Sequence, residues 1–398
     1  MWKTQVAPSM KNSRVTAEAT IRSLIGPHAA AKFRPALPAP GVRLLRGRNA
    51  IAQSADMLRE LGRRTGQASA VHWLEYDLST PSALKKNPTL ALVGLDDAVE
   101  PAKAGADDLI GAVLLYEYRV AGFGLRIFAT DDATGLRGVI APAHLRLQVA
   151  EAACQQVLDT GALAAMVTFA GKADEDGKHA GRRPSGDFEI ARRTRTVPVY
   201  LGLGPTHEET LATLGKHTRR NLRYYRRRLE AEVGVEFVPQ AALSRQEFLR
   251  LNRASINPVA EALAGWRYDT IEGTPGSMLQ GLRSRSGQWL SVIGGRRYGP
   301  ELHIDWQMNM AGLPRYSLST VMRSYTLEYE IGLGTEWLAF TGGTPHSMRH
   351  SFLHVDAADV IAVRRSTAGL ALRRFASWIF PEKNFLRSAL EDEQLHWS

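Results

Sequence analysis

The sequence predicts an α/β protein with a mixed α+β sheet, built as two tandem domains. Three observations carry that expectation. The chain has 398 residues, 44% of them hydrophobic, which is enough for two buried cores. Runs with helical spacing alternate with short apolar or alternating runs along most of its length. The order of those runs in residues 42–197 comes round again in residues 198–398, without evident identity between the copies.

The first block opens with a helix over residues 50–63, where Ile51, Ala55, Leu58 and Leu61 share a face. Residues 71–76 and 89–93 read as strands, and residues 96–108 as a loop. Two further strands, 111–120 and 125–130, flank a Gly-Phe-Gly turn at 122–124. Pro142 suits the first position of a helix that runs to Leu158 and stops before Gly161. A strand at 163–169, a polar loop at 171–187 and an apolar strand at 196–203 close the block.

The second block begins with one helix over residues 207–232. A strand follows at 235–238, then a helix over 244–254 that Ser244 and Glu247 cap reciprocally. A helix is expected at 276–283 and strands at 289–294 and 301–310, around a Gly-Arg-Arg-Tyr-Gly-Pro turn. A helix over 318–331 carries Leu318, Val321, Met322, Tyr325 and Tyr329 on one face. Strands at 336–341 and 360–364 and a helix at 367–380 end the chain.

Composition excludes several classes. Cys154 is the only cysteine, so no internal disulfide framework exists. No apolar run reaches the length of a spanning helix, and a cytoplasmic location is expected. The formal net charge of +10 is concentrated in two places. Residues 1–50 hold nine Lys/Arg against the single acid Glu18, and residues 216–228 hold seven Lys/Arg and no acid. Residues 1–41, with Pro8, Pro27, Pro35, Pro38 and Pro40, read as a disordered basic extension that loosely resembles a transit peptide.

The second basic segment is amphipathic. Positions 211, 214, 218, 222, 225 and 229 form a neutral stripe at helical spacing, and Lys216, Arg220, Arg223 and Arg227 gather on another face. A solvated face is the ordinary reading of a charge run. Seven like charges repel, however, and a neighbouring anion would relieve them. Arginine's planar fork suits phosphate.

This segment also carries a resemblance. Lys216-x-Thr218-Arg219-Arg220-Asn221-Leu222-Arg223, after an apolar strand and before Val-Gly-Val-Glu-Phe-Val-Pro, resembles the first helix of the cellulose-biosynthesis-type (CelD-like) acetyltransferases. These are relatives of the Fem-type peptidyltransferases within the GNAT superfamily. Tyr316-Ser-Leu-Ser-Thr-Val-Met, the helix to Gly332, and Glu336-Trp-Leu-Ala-Phe-Thr-Gly-Gly-Thr-Pro-His-Ser-Met-Arg349 resemble the same family's later helix, strand and turn. Arg349 falls where that family has Lys, and Ala339 where it has Asp. The resemblance covers about residues 196–365; before that it rests on element order.

The resemblance implies two GNAT-like acyl-CoA N-acyltransferase domains, an acyl-CoA or acyl-carrier protein as donor, a small-molecule or glycan acceptor, and no metal. The superfamily's pyrophosphate loop has only partial echoes, at 307–312 and 137–142. The cationic ridge of Lys216, Arg219, Arg220, Arg223 and Arg227, with Gln307 and Ser317, would then share in holding the donor.

Acyl transfer needs a base, an oxyanion donor and a proton for the leaving thiolate. On the strand at 301–310, alternation puts Leu302, Ile304, Trp306 and Met308 on one face and His303, Asp305, Gln307 and Asn309 on the other. Such alternation is ordinary for a half-exposed strand. Asp305 as base or orienter with His303 as its partner is still the best pair in the sequence. Tyr316 is the candidate for thiolate contact, although with Ser317 and Ser319 it sits where capping is the common task. Gly342 and Gly343 permit close backbone approach, with His346 and Arg349 beside them as substrate contacts. His346, His350 and His354 recur every fourth residue, but the intervening glutamate of a zinc motif is missing and the stretch does not read as helical. Cys154, in an Ala-rich helix, reads as packing.

Two other functions remain open on the sequence. One is transfer from aminoacyl-tRNA, as Fem-type relatives perform it. The other is a non-catalytic nucleic-acid-binding module, with Tyr224 and Tyr225 among the arginines.

Overall fold

The computed structural model describes residues 41–374, apart from residues 80–86, 97, 102, 121–122, 131–135, 174–186, 275 and 341–346, together with Arg387. The expected extension at 1–41 therefore lies, but for Gly41, outside the described residues.

In chain order the elements are β1 (Val42–Arg46), α1 (Arg48–Ala52), α2 (Ala55–Arg64), α3 (Ala68–Ser79), β2 (Pro88–Val93), β3 (Gly111–Val120), β4 (Phe123–Ala129), β5 (Val139–Ile140), α4 (Arg146–Asp159) and β6 (Ala164–Ala170). There follow β7 (Phe188–Gly202), α5 (His207–Thr213), α6 (Lys216–Glu232), β8 (Val235–Val238), α7 (Arg245–Arg253) and α8 (Glu261–Gly273). The last are β9 (Ser277–Ser284), β10 (Trp289–Tyr298), β11 (Glu301–Asn309), α9 (Leu318–Gly332), β12 (Trp337–Phe340), β13 (Leu353–Arg364) and α10 (Thr367–Arg374).

The chain divides into two compact units, Met1–Val197 with Val355–Ser398, and Pro198–His354. The stretch from Val355, expected with the second block, groups with the first. The cause is strand pairing: β13 hydrogen-bonds to β6 from Ala357↔Ala170 to Val363↔Ala164.

In the first unit, β1/β2, β2/β3 and β3/β4 pair antiparallel, and β4/β6 pair parallel. A parallel pair needs a crossover, and α4 supplies it. α4 packs Val149, Ala153, Cys154 and Val157 on one sheet face, against Val113, Leu115 and Val167. The other face, through Leu90, Leu92 and Leu114, is covered by Leu58, Leu61, Val71 and Leu74 of α2 and α3. Leu90 to Val93 are all buried, as a strand covered on both faces must be.

The second unit follows the same path. β8/β9, β9/β10 and β10/β11 pair antiparallel, and β11/β12 pair parallel with α9 as the crossover. The end of β7 adds to β12, Tyr200 opposite Ala339. One face packs on α6 and α9 through Leu222, Leu229, Val321, Met322, Leu302 and Ile304. The other packs on α7 and α8 through Phe248, Leu251, Ala264, Trp306 and Met308.

Three expectations differ from this fold, and one helix was not expected. Residues 71–76 lie in helix α3, where Val71, Leu74 and Leu78 are buried at helical spacing. Residues 276–283 form strand β9, because β8 and β10 hydrogen-bond to it on both sides. The helix at 207–232 is two helices, since Leu214 is extended and Gly215 is the N-cap of α6. α8 was not foreseen.

Candidate functional site

In the second unit, β11 and β12 pair only from Glu301↔Trp337 to Ile304↔Phe340. β11 then continues for five residues with no β12 partner among the described residues. Further along the same strand, the chain after α7 takes up pairing: Ser255 bridges Met310, and the Ile256 N–H donates to the Asn309 carbonyl (2.9 Å). Between those two points the edge of β11 around residues 305–308 has no strand partner among the described residues. Ile256 is 57% exposed at its border.

A bulge sits at the same place. Gly294 pairs with Trp306 and Gly295 with Ile304, so Asp305 is the extra residue. The bulge overturns the simple alternation read from the sequence. Leu302 and Ile304 face α6 and α9, whereas Trp306 and Met308 face α7 and α8. Asp305 stays with His303 on the α7/α8 side, and Gln307 changes to the α9 side, where its Nε2 donates to the Ser319 carbonyl (3.3 Å).

Asp305 and His303, expected as a pair, each hydrogen-bond to a further partner. Asp305 accepts two hydrogen bonds from Arg296, Nε to Oδ2 at 2.9 Å and Nη2 to Oδ1 at 3.0 Å, with side chains 1% and 7% exposed. A carboxylate held through both oxygens is an electrostatic fixture rather than an open base. His303 pairs instead through Nε2 with Glu301 Oε2 at 2.9 Å. It lies edge-on to Tyr200, ring centroids 6.2 Å apart, and beside Tyr298, whose hydroxyl accepts from Arg296. Glu301, His303, Tyr298, Arg296 and Asp305 thus make one buried polar group on the sheet face next to that stretch of β11.

Arg296, Glu301 and Tyr200 were missed in the sequence. Arg296 was assigned to a turn, but β10 runs on to Tyr298 and sets Arg296 opposite His303.

Tyr316 is buried. Its hydroxyl donates to Glu232 Oε2 (2.9 Å) and accepts from Arg315 (2.5 Å), which ties the start of α9 to the end of α6. Ser317 is the N-cap of α9 with φ 47°, and its Oγ meets Thr320 Oγ1 at 2.8 Å, so no side chain caps the first backbone N–H groups of this 15-residue helix. Arg349 stands on the 3-10 turn Ser347–Ser351. Gly342, Gly343 and His346 lie outside the described residues.

The cationic ridge on α6 is arranged as its spacing predicts: Thr218, Leu222 and Leu229 are buried, and Lys216, Arg220, Arg223 and Arg227 are exposed. Of the ridge residues Arg223 meets an acid, and two further arginines of α6 do so as well. Arg223 pairs with Glu208, Arg226 with Glu230 and Glu328, and Arg228 with Glu232. α6 runs antiparallel to α9. Glu232 touches Tyr316 beside the α9 N-terminus, and Lys216 is roughly 24 Å away at 1.5 Å per residue.

Among the described residues, no group of three or more His, Cys, Asp or Glu is placed to hold a metal ion. No described helix is long and apolar enough to cross a membrane.

No protein-family model and no curated protein matches the chain. Solved structures resemble it in shape at low identity. One is a tandem GNAT protein from the clavulanic acid biosynthesis pathway, 12% identical, covering 82% of this chain and 99% of that one, TM-score 0.42. Another is FemX, 10% identical, covering 72% of this chain and 89% of that one, TM-score 0.43. A third is the L-PGS of Bacillus licheniformis, 14% identical, covering 65% of this chain and 82% of that one, TM-score 0.40.

Proposed function

We propose that this chain is an acyltransferase whose reaction centre lies in the second unit, and that its donor is an acyl thioester such as acyl-CoA. The observation that carries the reading is that the described β11/β12 pairing ends at Ile304 and Phe340, next to a bulge at Asp305. A strand edge without a strand partner offers backbone N–H and C=O groups, which an extended, amide-bearing thioester arm satisfies as an added strand would. The uncapped start of α9 offers its first N–H groups to the donor's phosphates.

The acceptor's amine or hydroxyl attacks the thioester carbonyl carbon from the α7/α8 side. His303, oriented by Glu301, takes the acceptor's proton. The carbonyl oxygen gains charge in the tetrahedral intermediate, and an N–H of the bulged strand stabilises it. The C–S bond then breaks and the thiolate leaves, taking up a proton. Asp305, fixed by Arg296, holds a negative charge beside the acceptor and favours a cationic amine. The motif resemblance favours an acceptor from polysaccharide or cell-envelope biosynthesis.

A second reading has its own support. Lys216, Arg219 and Arg220 have no acidic partner among the described residues. They suit a polyanionic donor such as aminoacyl-tRNA.

The test is thiol release from a panel of acyl-CoAs with candidate amines and alcohols. Cys154 does not disturb it: the side chain is fully buried, and burial pushes its thiol pKa far up. His303→Gln is expected to lower turnover about 100-fold or more with the fold retained. No release from any thioester, with tRNA binding lost in Arg220→Ala, replaces this reading with the second.

A further inference from the structure

The charges of α6 break the electrostatic rules of a helix, and the proposed thioester reaction uses none of them. A helix N-terminus carries partial positive charge and favours acids, and its C-terminus favours bases. α6 reverses this: Lys216 and Arg219 stand in its first turn, which holds no acid, and Glu230 and Glu232 stand in its last. Like charges also lie one turn apart, Lys216 with Arg220 and Arg223 with Arg227, and each such pair costs helix stability. Local rules broken without local compensation mark a functional surface.

The acids of the helix are tied on the α9 side. Glu230 accepts from Arg226 and from the Tyr325 hydroxyl, and Glu232 from Arg228 and from the Tyr316 hydroxyl. The outward face is left to Lys216, Arg220, Arg223, Tyr224 and Arg227, all exposed, over about 16 Å at 1.5 Å per residue. Of its four cations, Arg223 meets an acid among the described residues, Glu208. Lys216 and Arg220 have no acidic partner there, and Arg227 donates to the Arg223 carbonyl (3.2 Å). Tyr224 stands among them, 48% exposed, its hydroxyl accepting from Arg228 (3.3 Å).

We propose that this face of α6 docks the protein on an anionic lipid surface. Basic side chains are drawn to negative headgroups by the field of the membrane and need no matched contact area. An exposed tyrosine among them suits the headgroup level, with an apolar ring and a polar tip. Nucleic acid, the other polyanion, asks for more. Even a single nucleic-acid-binding module buries about 600–1,000 Å², and single strands lie in basic grooves with several aromatic platforms. The face of α6 is a convex strip about 16 Å long and one helix wide, with one exposed ring. The residues outside 1–50 and 216–228 carry a net charge of −5. A membrane meets only the face turned towards it, so this negative remainder does not oppose docking. The proposal stands apart from the transferase reading; joined to it, docking makes a lipid-borne acceptor the class to try first.

The experiment is co-sedimentation of the full chain with vesicles of phosphatidylcholine, alone or with about one third phosphatidylglycerol. At low ionic strength the protein is expected to bind the anionic vesicles at least about tenfold more strongly than the neutral ones. Molar salt, which screens charges beyond about 3 Å, should remove that preference. Arg220→Gln with Arg227→Gln should weaken binding about 25-fold, at about fivefold for each charge near the surface. Arg250→Gln with Arg253→Gln removes the same charge from α7, which packs on the other face of the sheet, and should change binding less than about threefold. Arg220→Lys with Arg227→Lys keeps the charge and should bind as the wild type does. Removing like charges relieves repulsion, so the α6 glutamine variant should keep or raise the urea midpoint.

Equal binding to the two kinds of vesicle overturns the proposal, as does an equal loss in the α6 and α7 glutamine variants. Binding that the α6 glutamine variant keeps overturns it too, and assigns the attraction to the basic residues of 1–50. Binding of tRNA that is lost in the same variant, with no vesicle binding by the wild type, gives the face to nucleic acid instead. Vesicle binding is read without turnover, so its failure and the failure of the transferase reading are separate results.

Discussion

At the scale of single residues, the buried pair Arg296–Asp305 decides more than any exposed charge. Both side chains are almost fully covered, so neither tolerates loss of the other. Arg296→Met leaves the Asp305 carboxylate buried alone and should cost about 3–5 kcal/mol, read as a lower urea midpoint. The double variant Arg296→Met with Asp305→Leu removes both charges and should recover most of that loss. A double variant as unstable as the single one would show that shape, not charge, holds this corner. A pH effect is expected at Tyr325. Burial first, and its hydroxyl's bond to Glu230 second, raise its pKa from 10.0 to about 12. The folded state therefore keeps a proton that the unfolded chain gives up near pH 10. The stabilisation is complete below about pH 10 and is lost as the pH rises towards 12. Tyr325→Phe lacks this component, so its stability deficit against the wild type should shrink across that interval.

At the scale of elements, the bulge in β11 is the feature that assembles the candidate site. Gly295 makes it possible: a Cβ there would stand 2.0 Å from the His303 carbonyl oxygen. Gly295→Ala should cost about 1–3 kcal/mol and remove thiol release, because the strand must shift to admit the methyl group. Gly332→Ala, where a Cβ meets nothing within 4 Å, should change stability by less than about 0.5 kcal/mol. Equal behaviour of the two variants would deny the bulge its role. The same bulge marks where the sequence stopped being readable. Helices with strong periodicity were legible, as the stripe Thr218, Leu222 and Leu229 and the Ser244–Glu247 capping box show. Strand β9 was not, because its conformation is set by partners on both edges rather than by its own residues. In the candidate site, His303 and Asp305 were found as polar residues on a strand. Their true partners were hidden, since Glu301 and Arg296 become neighbours only through in-strand spacing and the β10 register.

At the scale of the whole chain, the two units repeat one strand path, and they differ in the described contacts at the end of the parallel pair, where the proposed donor site lies. In the first unit the contact between β4 and β6 is carried one residue past Ala129. The Thr130 N–H donates to the Met166 carbonyl (3.0 Å), and the Thr168 N–H donates to Thr130 Oγ1 (3.0 Å). Thr168 in turn donates its hydroxyl proton to Asp359 (2.7 Å), which also accepts from Arg193 and Arg195. The Thr130 and Thr168 N–H groups are thus already satisfied there. In the second unit β11 has no β12 partner beyond Ile304 among the described residues. One donor site per chain follows from this difference, although the repeat by itself suggests two. Calorimetry with CoA on the full chain should give a stoichiometry of one. Thr130→Val in the first unit removes one hydrogen bond, worth about 1 kcal/mol, and should leave that stoichiometry unchanged. Gly295→Ala in the second unit should abolish binding. Two sites per chain, or binding that Thr130→Val removes and Gly295→Ala spares, would move the donor to the first unit and deprive the edge of β11 of its role.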